Sequence, residues 1–152
     1  MKRAIFRSAT SVLAACAFLL STASVFAQDL RVVLKGHDPV AYFTEGKPVK
    51  GDPKLSYDWD EGRYYFSSAK HRDLFAANPE RYAPQFGGYC TGSMSGGATR
   101  EGDPEAWIIR DGKLYVFGAT KFKDIAEKDS AYLPSKIPGA VKNWNDKKSR
   151  AS

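Results

Sequence analysis

The sequence predicts an α+β fold of small antiparallel β-hairpins packed on one main helix, with short helices after them. Three observations carry this. Leu55, Tyr57 and Trp59 alternate with polar residues, and Asp60-Glu61-Gly62 turns the chain into Arg63-Tyr64-Tyr65-Phe66, so 55–66 reads as a hairpin. Ala106-Trp107-Ile108-Ile109 and Leu114-Tyr115-Val116-Phe117 flank Asp111-Gly112-Lys113 in the same way. Between the hairpins, Ser67 and Ser68 offer an N-cap to a helix over 69–77, which Asn78-Pro79 closes.

The elements follow in order from a basic start. Lys2, Arg3 and Arg7 precede an apolar run over 12–20, and Val25-Phe26-Ala27 places small or aliphatic residues before Gln28. Residues 1–27 therefore read as a secretory signal peptide cut after Ala27, which directs the protein to the periplasm or outside the cell. The run is short for a bilayer span, so no stable membrane span is expected in the mature form. Leu13-Ala14-Ala15-Cys16 has the form of a lipobox, but Ala-Phe-Leu-Leu after it stays apolar, and soluble export is the better reading.

Residues 28–120 form the expected domain. Leu30–Leu34 is a short apolar segment, and Gly36-His37-Asp38-Pro39 is a turn by composition. On the helix over 69–77, Leu74 and Phe75 make the buried stripe and His71 borders it. Glu80-Arg81-Tyr82 adds one turn that tucks Tyr82 inward. The stretch 84–99 is the least regular, its glycines permitting close backbone approach around Cys90. Residues 121–152 read as two short helices broken by Pro134 and Pro138, ending in a frayed basic tail with Lys142, Lys147, Lys148 and Arg150. No internal repeat is visible.

Composition excludes several functions. The 152 residues suit one domain, and half of the formal net charge of +6 lies in the expected signal peptide. What is left forms no basic stripe, so nucleic acid is not an expected partner. Phosphate-binding glycine loops, zinc-protease helices and nucleophile elbows are missing. Of the two cysteines, only Cys90 lies beyond the signal peptide, so no disulfide can form within the mature chain. A single exported thiol is either buried and inert or used, and it could also link two chains.

Two families of strings then carry a resemblance. Asp38-Pro39-Val40, Tyr64-Tyr65-Phe66-Ser67-Ser68 and Phe75 with Asn78-Pro79-Glu80-Arg81-Tyr82 resemble the YHS domain. Phe86-Gly87-Gly88-Tyr89-Cys90, Gly102-Asp103-Pro104-Glu105-Ala106-Trp107 and Asp111-Gly112-Lys113-Leu114-Tyr115 resemble its exported bacterial branch, which includes selenoproteins. The likeness covers about residues 34–117. It implies a small α+β fold and, in many members, heavy-metal binding through cysteines. Where those members place cysteines this chain has Ala41, Ser67 and His71, so only His71 could still bind a metal.

Any metal site must therefore be built around Cys90. The candidate ligands are Cys90, His71, His37 and Met94, a set that favours copper and leaves zinc or iron acceptable. That metal-binding reading is the one the sequence favours; in the alternative, Cys90 is the candidate catalytic residue of a single-thiol redox protein, which would need a partner reductant because no resolving cysteine exists. The sequence therefore supports three functions. They are a periplasmic metal-binding protein with a metal-handling partner, a thiol redox protein with a redox partner, and a non-catalytic accessory domain in which Cys90 is only packed.

Overall fold

A computed structural model describes residues 30–151, so the expected signal peptide and Cys16 lie outside the described residues. The architecture is α+β, with a three-stranded and a two-stranded sheet and six helices among the described residues. Strand β1 (Arg31–Val32) pairs parallel with the later strand at Gly62–Phe66, and a 3-10 turn over Val33–Gly36 leads to helix α1 (Ala41–Thr44). Strands β2 (Asp52–Trp59) and β3 (Gly62–Phe66) form the first hairpin, giving the order β1-β3-β2. Helices α2 (Ala69–Ala77) and α3 (Pro79–Tyr82) close this half.

The second half begins with a 3-10 turn over Gln85–Gly88 and helix α4 (Thr91–Ser95). Strands β4 (Asp103–Arg110) and β5 (Lys113–Phe117) form the second hairpin, and α5 (Thr120–Lys128) and α6 (Tyr132–Ala151) end the chain.

Local chemistry explains the boundaries. Ser68 Oγ accepts the His71 amide at 3.1 Å and caps α2, while Asn78 Oδ1 accepts the Arg81 amide and caps α3, with Pro79 opening that helix. Asp111 and Gly112 both have positive φ, as the tight turn of the second hairpin requires. Phe75 of α2 is fully buried, with its ring 4.6 Å from that of Tyr64 and 5.2 Å from that of Phe66, so the helix is held by aromatic packing.

The two halves repeat one another, contrary to the expectation of no repeat. Asp52 pairs with Phe66 and, after a register shift, Ser56 pairs with Tyr65; Asp103 pairs with Phe117 and, after the same shift, Trp107 pairs with Val116. Leu34, Lys35 and Gly36 have positive φ, and so do Phe86, Gly87 and Gly88. His37 bridges Lys50 as Tyr89 bridges Glu101, and the Gly51 amide reaches the Gly36 carbonyl as Gly102 reaches Gly88. Helices α2 and α5 start at matching positions and have equal length. Each half has its own apolar core. Strand β5 lies between them, sending Leu114 and Val116 into the first and Tyr115 and Phe117 into the second.

Two expectations for the C-terminal part are corrected. The boundary at 120/121 cuts into α5, which packs on β4 and β5 and belongs to the second half. Pro134 and Pro138 do not break the last helix, for α6 runs continuously through both. Pro134 sits in the first turn, where its missing N–H has no helical acceptor to serve. Pro138 is carried through because α6 lies against α4 so closely that a Cβ on Gly139 would meet the Ser95 carbonyl oxygen at 2.8 Å. Tertiary packing of this kind outweighs local helix preference.

The basic tail is likewise not frayed. Lys147 pairs with Glu61, Lys148 with Asp60 at 2.7 Å and Lys142 with Asp146 at 2.7 Å. The far end of α6 is thereby fastened to the turn of the first hairpin, and the helix spans both halves.

Candidate functional site

The repeat puts Asp38 and Cys90 at corresponding positions. The Asp38 amide bonds to the Val49 carbonyl and the Cys90 amide to the Arg100 carbonyl, both at 2.8 Å, and each residue stands just before a short helix. The hairpin register then matches Ser67 with Gly118 and His71 with Phe122.

In the first half these positions make a closed polar knot. Asp38 is fully buried; its Oδ1 accepts the amides of Val40 and Ala41, and its Oδ2 accepts the Ser67 amide, the Ser67 hydroxyl at 2.6 Å and His71 at 2.7 Å. A carboxylate with so many donors can only accept, so His71 Nδ1 carries the proton. Thr44 Oγ1 lies 3.4 Å from His71 Nε2, yet its own proton goes to the Val40 carbonyl, so no hydroxyl is activated there. The knot holds α1, β3 and α2 together.

In the second half the same place is open. Gly118 has no side chain to bond the sulfur, and a Cβ there would stand 3.6 Å from Cys90 Sγ, an ordinary contact. Phe122 replaces the imidazole. The outcome is a cleft of about 250 Å³ lined by Cys90, Gly92, Ser93, Phe117, Phe122, Tyr132 and Lys136. Cys90 is 5% exposed, and what it exposes faces this cleft. The Tyr132 hydroxyl and the Cys90 sulfur flank Gly92, whose Cβ would stand 3.7 Å from the first and 4.0 Å from the second.

Burial pushes the pKa of the Tyr132 phenol above its ordinary value, and a thiolate charge on Cys90 pushes it the same way. Tyr132 therefore stays a neutral O–H donor beside the sulfur. Lys136 lies over the Tyr132 ring at 5.4 Å and has no carboxylate partner among the described residues. The cleft thus joins a thiol, three aromatic walls, a hydroxyl and an ammonium with no carboxylate partner among the described residues.

The four expected metal ligands are not brought together. His71 belongs to the Asp38 knot. His37 sits in the first turn with Nδ1 2.9 Å from the Leu34 carbonyl, and Met94 is buried in the second core. None of the three lines the Cys90 cleft. Among the described residues there is no group of three or more His, Cys, Asp or Glu that could hold a metal ion.

Sequence reasoning found Cys90 and missed Gly118, Phe122, Tyr132 and Lys136. The signal that could have found the first two was in plain view: Gly51-Asp52-Pro53 and Phe66 recur at constant offset as Gly102-Asp103-Pro104 and Phe117. Carried forward, that offset sets Gly118 against Ser67 and Phe122 against His71. No family profile, curated protein or solved structure matches this chain.

Proposed function

We propose that this is an exported thiol protein of YHS type in which Cys90 exchanges disulfides with an anionic partner, a low-molecular-weight or peptide disulfide bearing a carboxylate. The observation that supports this reading is the cleft itself. The only cysteine beyond the expected signal peptide lines a cavity beside Lys136, which has no carboxylate partner among the described residues, whereas the corresponding Asp38 is sealed.

The step is ordinary exchange. The Cys90 thiolate attacks one sulfur of R–S–S–R′, a bond from Cys90 Sγ to that sulfur forms as the old S–S bond breaks, and R′–S⁻ leaves. The two electrons of the broken bond leave with R′–S⁻. A second thiolate then attacks the mixed disulfide and returns Cys90 to its reduced form. Phe117, Phe122 and Tyr132 give the bound group an apolar bed, the Tyr132 hydroxyl donates to an anion formed in the cleft, and Lys136 attracts the carboxylate.

The test incubates folded residues 28–152 with oxidised glutathione and follows the intact mass. One glutathione added per chain, removed by reduced thiol and missing in Cys90→Ser, is the expected result. Addition only after denaturation contradicts the reading. Copper retained by the wild type through gel filtration and lost from Cys90→Ser would instead favour the metal reading.

A further inference from the structure

The way Cys90 is buried decides which sulfur of a mixed disulfide can be attacked. Its sulfur meets solvent only on the side of the cleft, for the residue is 5% exposed. Chain occupies the other sides. A Cβ on Gly118 would stand 3.6 Å from Sγ and 3.8 Å from the Cys90 Cβ, and one on Gly92 would stand 4.0 Å from Sγ. The backbone there is fixed as well. The Cys90 amide donates to the Arg100 carbonyl, its carbonyl accepts the Met94 amide, and the fully buried Thr91 bonds the Val116 carbonyl.

Disulfide exchange is directional. A thiolate attacks one sulfur from the side opposite the sulfur that departs, so the three lie in line. A guest joined to Cys90 through its sulfur extends into the cleft, between Phe117, Phe122 and Tyr132. Attack on Sγ would have to come from behind it, where the chain around Gly118 stands. Attack on the guest's sulfur comes from the cleft, along the open side. At about 250 Å³ the cleft is smaller than the ~300 Å³ at which pockets begin to enclose drug-sized ligands, so it beds a guest without closing over it.

We propose that Cys90 hands its guest on and never swaps it: a second small thiol attacks only the guest's sulfur, and Cys90 is always the group that leaves. This rests on the disulfide-exchange reading of the same cleft. The step is R″–S⁻ + Cys90–S–S–R → R–S–S–R″ + Cys90–S⁻. A bond forms between the two small sulfurs, the bond to Sγ breaks, and its electron pair stays on Sγ, across Gly92 from the Tyr132 hydroxyl. With loading included, the net reaction is R–S–S–R′ + R″–S⁻ → R–S–S–R″ + R′–S⁻. The chain is thereby a transfer catalyst between small thiols, and it needs no second cysteine. Lys136, at the side of the cleft, favours guests that carry a carboxylate.

Intact mass tests the direction of attack. Folded protein is treated with cystine, which puts one cysteine on Cys90, and is then mixed with excess reduced glutathione and quenched in acid at intervals. The expected course is direct conversion of the cysteinylated chain to the free chain, with glutathionylated chain below roughly a tenth of the early product. The same adduct unfolded in urea exposes both sulfurs, and there glutathionylated chain should be roughly half of the early product. Glutathionylated chain as the main early product of the folded adduct, or one product ratio for folded and unfolded adducts, overturns the proposal and leaves the exchange reading standing. A folded chain that takes no cysteine from cystine overturns both.

Discussion

Asp38 and Cys90 occupy the same point of two repeated halves, each with its amide bonded across a short bridge at 2.8 Å, to the carbonyl of Val49 or of Arg100. One is a fully buried carboxylate saturated with donors; the other is a thiol beside an open cleft. The repeat therefore supplies two copies of one scaffold position, one closed by hydrogen bonds and the other set beside a cleft. Ser67 and His71 complete the first copy. Gly118 and Phe122, at the corresponding places, vacate the second.

Stability should depend on the two residues very differently. Asp38→Ala leaves the amides of Val40, Ala41 and Ser67 and the His71 ring without their acceptor, and should cost about 3–5 kcal/mol. Cys90→Ala removes one sulfur at the edge of a cleft and should cost no more than about 1.5 kcal/mol. Urea unfolding of both variants measures the difference; equal costs would show that the two positions do the same structural work.

Access to Cys90 should be set by Gly118. Gly118→Val puts methyl groups where only a Cβ would already touch Sγ at 3.6 Å. Alkylation of folded protein by iodoacetamide should slow by roughly tenfold, equivalent to about 1.4 kcal/mol of barrier, while the unfolded chain reacts at the wild-type rate. An unchanged native rate would mean that reagents reach the sulfur by another route.

Alkaline pH should destabilise the fold through its buried phenols. Burial pushes Tyr42 and Tyr64 well above the ordinary tyrosine range, and Tyr42 also donates to the Pro104 carbonyl at 3.0 Å. In the unfolded chain both ionise near pH ~10. Above that pH the unfolded state releases protons that the folded state keeps, so stability is intact below it and falls as pH rises. Tyr42→Phe should flatten the fall by about 1.4 kcal/mol per pH unit above pH ~10, read from urea midpoints across an alkaline series.

Helix α6 should hold the halves together through Trp144 more than through its lysines. Trp144→Ala removes an indole that packs against Gly87 and near Tyr89 and should cost about 3 kcal/mol. Lys147→Ala and Lys148→Ala break partly exposed ion pairs and should each cost no more than about 1 kcal/mol. Thermal unfolding of the three variants gives the order; a lysine variant weaker than Trp144→Ala would reverse it.

Much of the fold was legible because its signals are local. Alternation in Leu55, Tyr57 and Trp59, the Asp111-Gly112 turn and the Ser68 cap each act within a few residues, and the hairpins and α2 form where they point. The continuity of α6 was not legible, since Pro138 argues against a helix and only contact with α4 overrides it. The repeat was legible only in Gly51-Asp52-Pro53 and Phe66 against Gly102-Asp103-Pro104 and Phe117, because most other corresponding residues differ in chemistry: Asp38 and Cys90, His71 and Phe122, Phe75 and Ala126. Backbone register survives such changes while side-chain pattern does not. Cys90 stood out as the one thiol beyond the expected signal peptide. Tyr132 and Lys136 could not, because α6 brings them to it from far along the chain.

The most direct test of the account is the reaction of folded protein with dithiobis-nitrobenzoate, an aromatic disulfide bearing carboxylates, beside the uncharged dipyridyl disulfide. The account predicts release of one thionitrobenzoate per native chain. It also predicts that Lys136→Gln slows the anionic reagent by about threefold or more while leaving the uncharged one unchanged. A Cys90 that reacts with neither reagent until the chain is unfolded would contradict it.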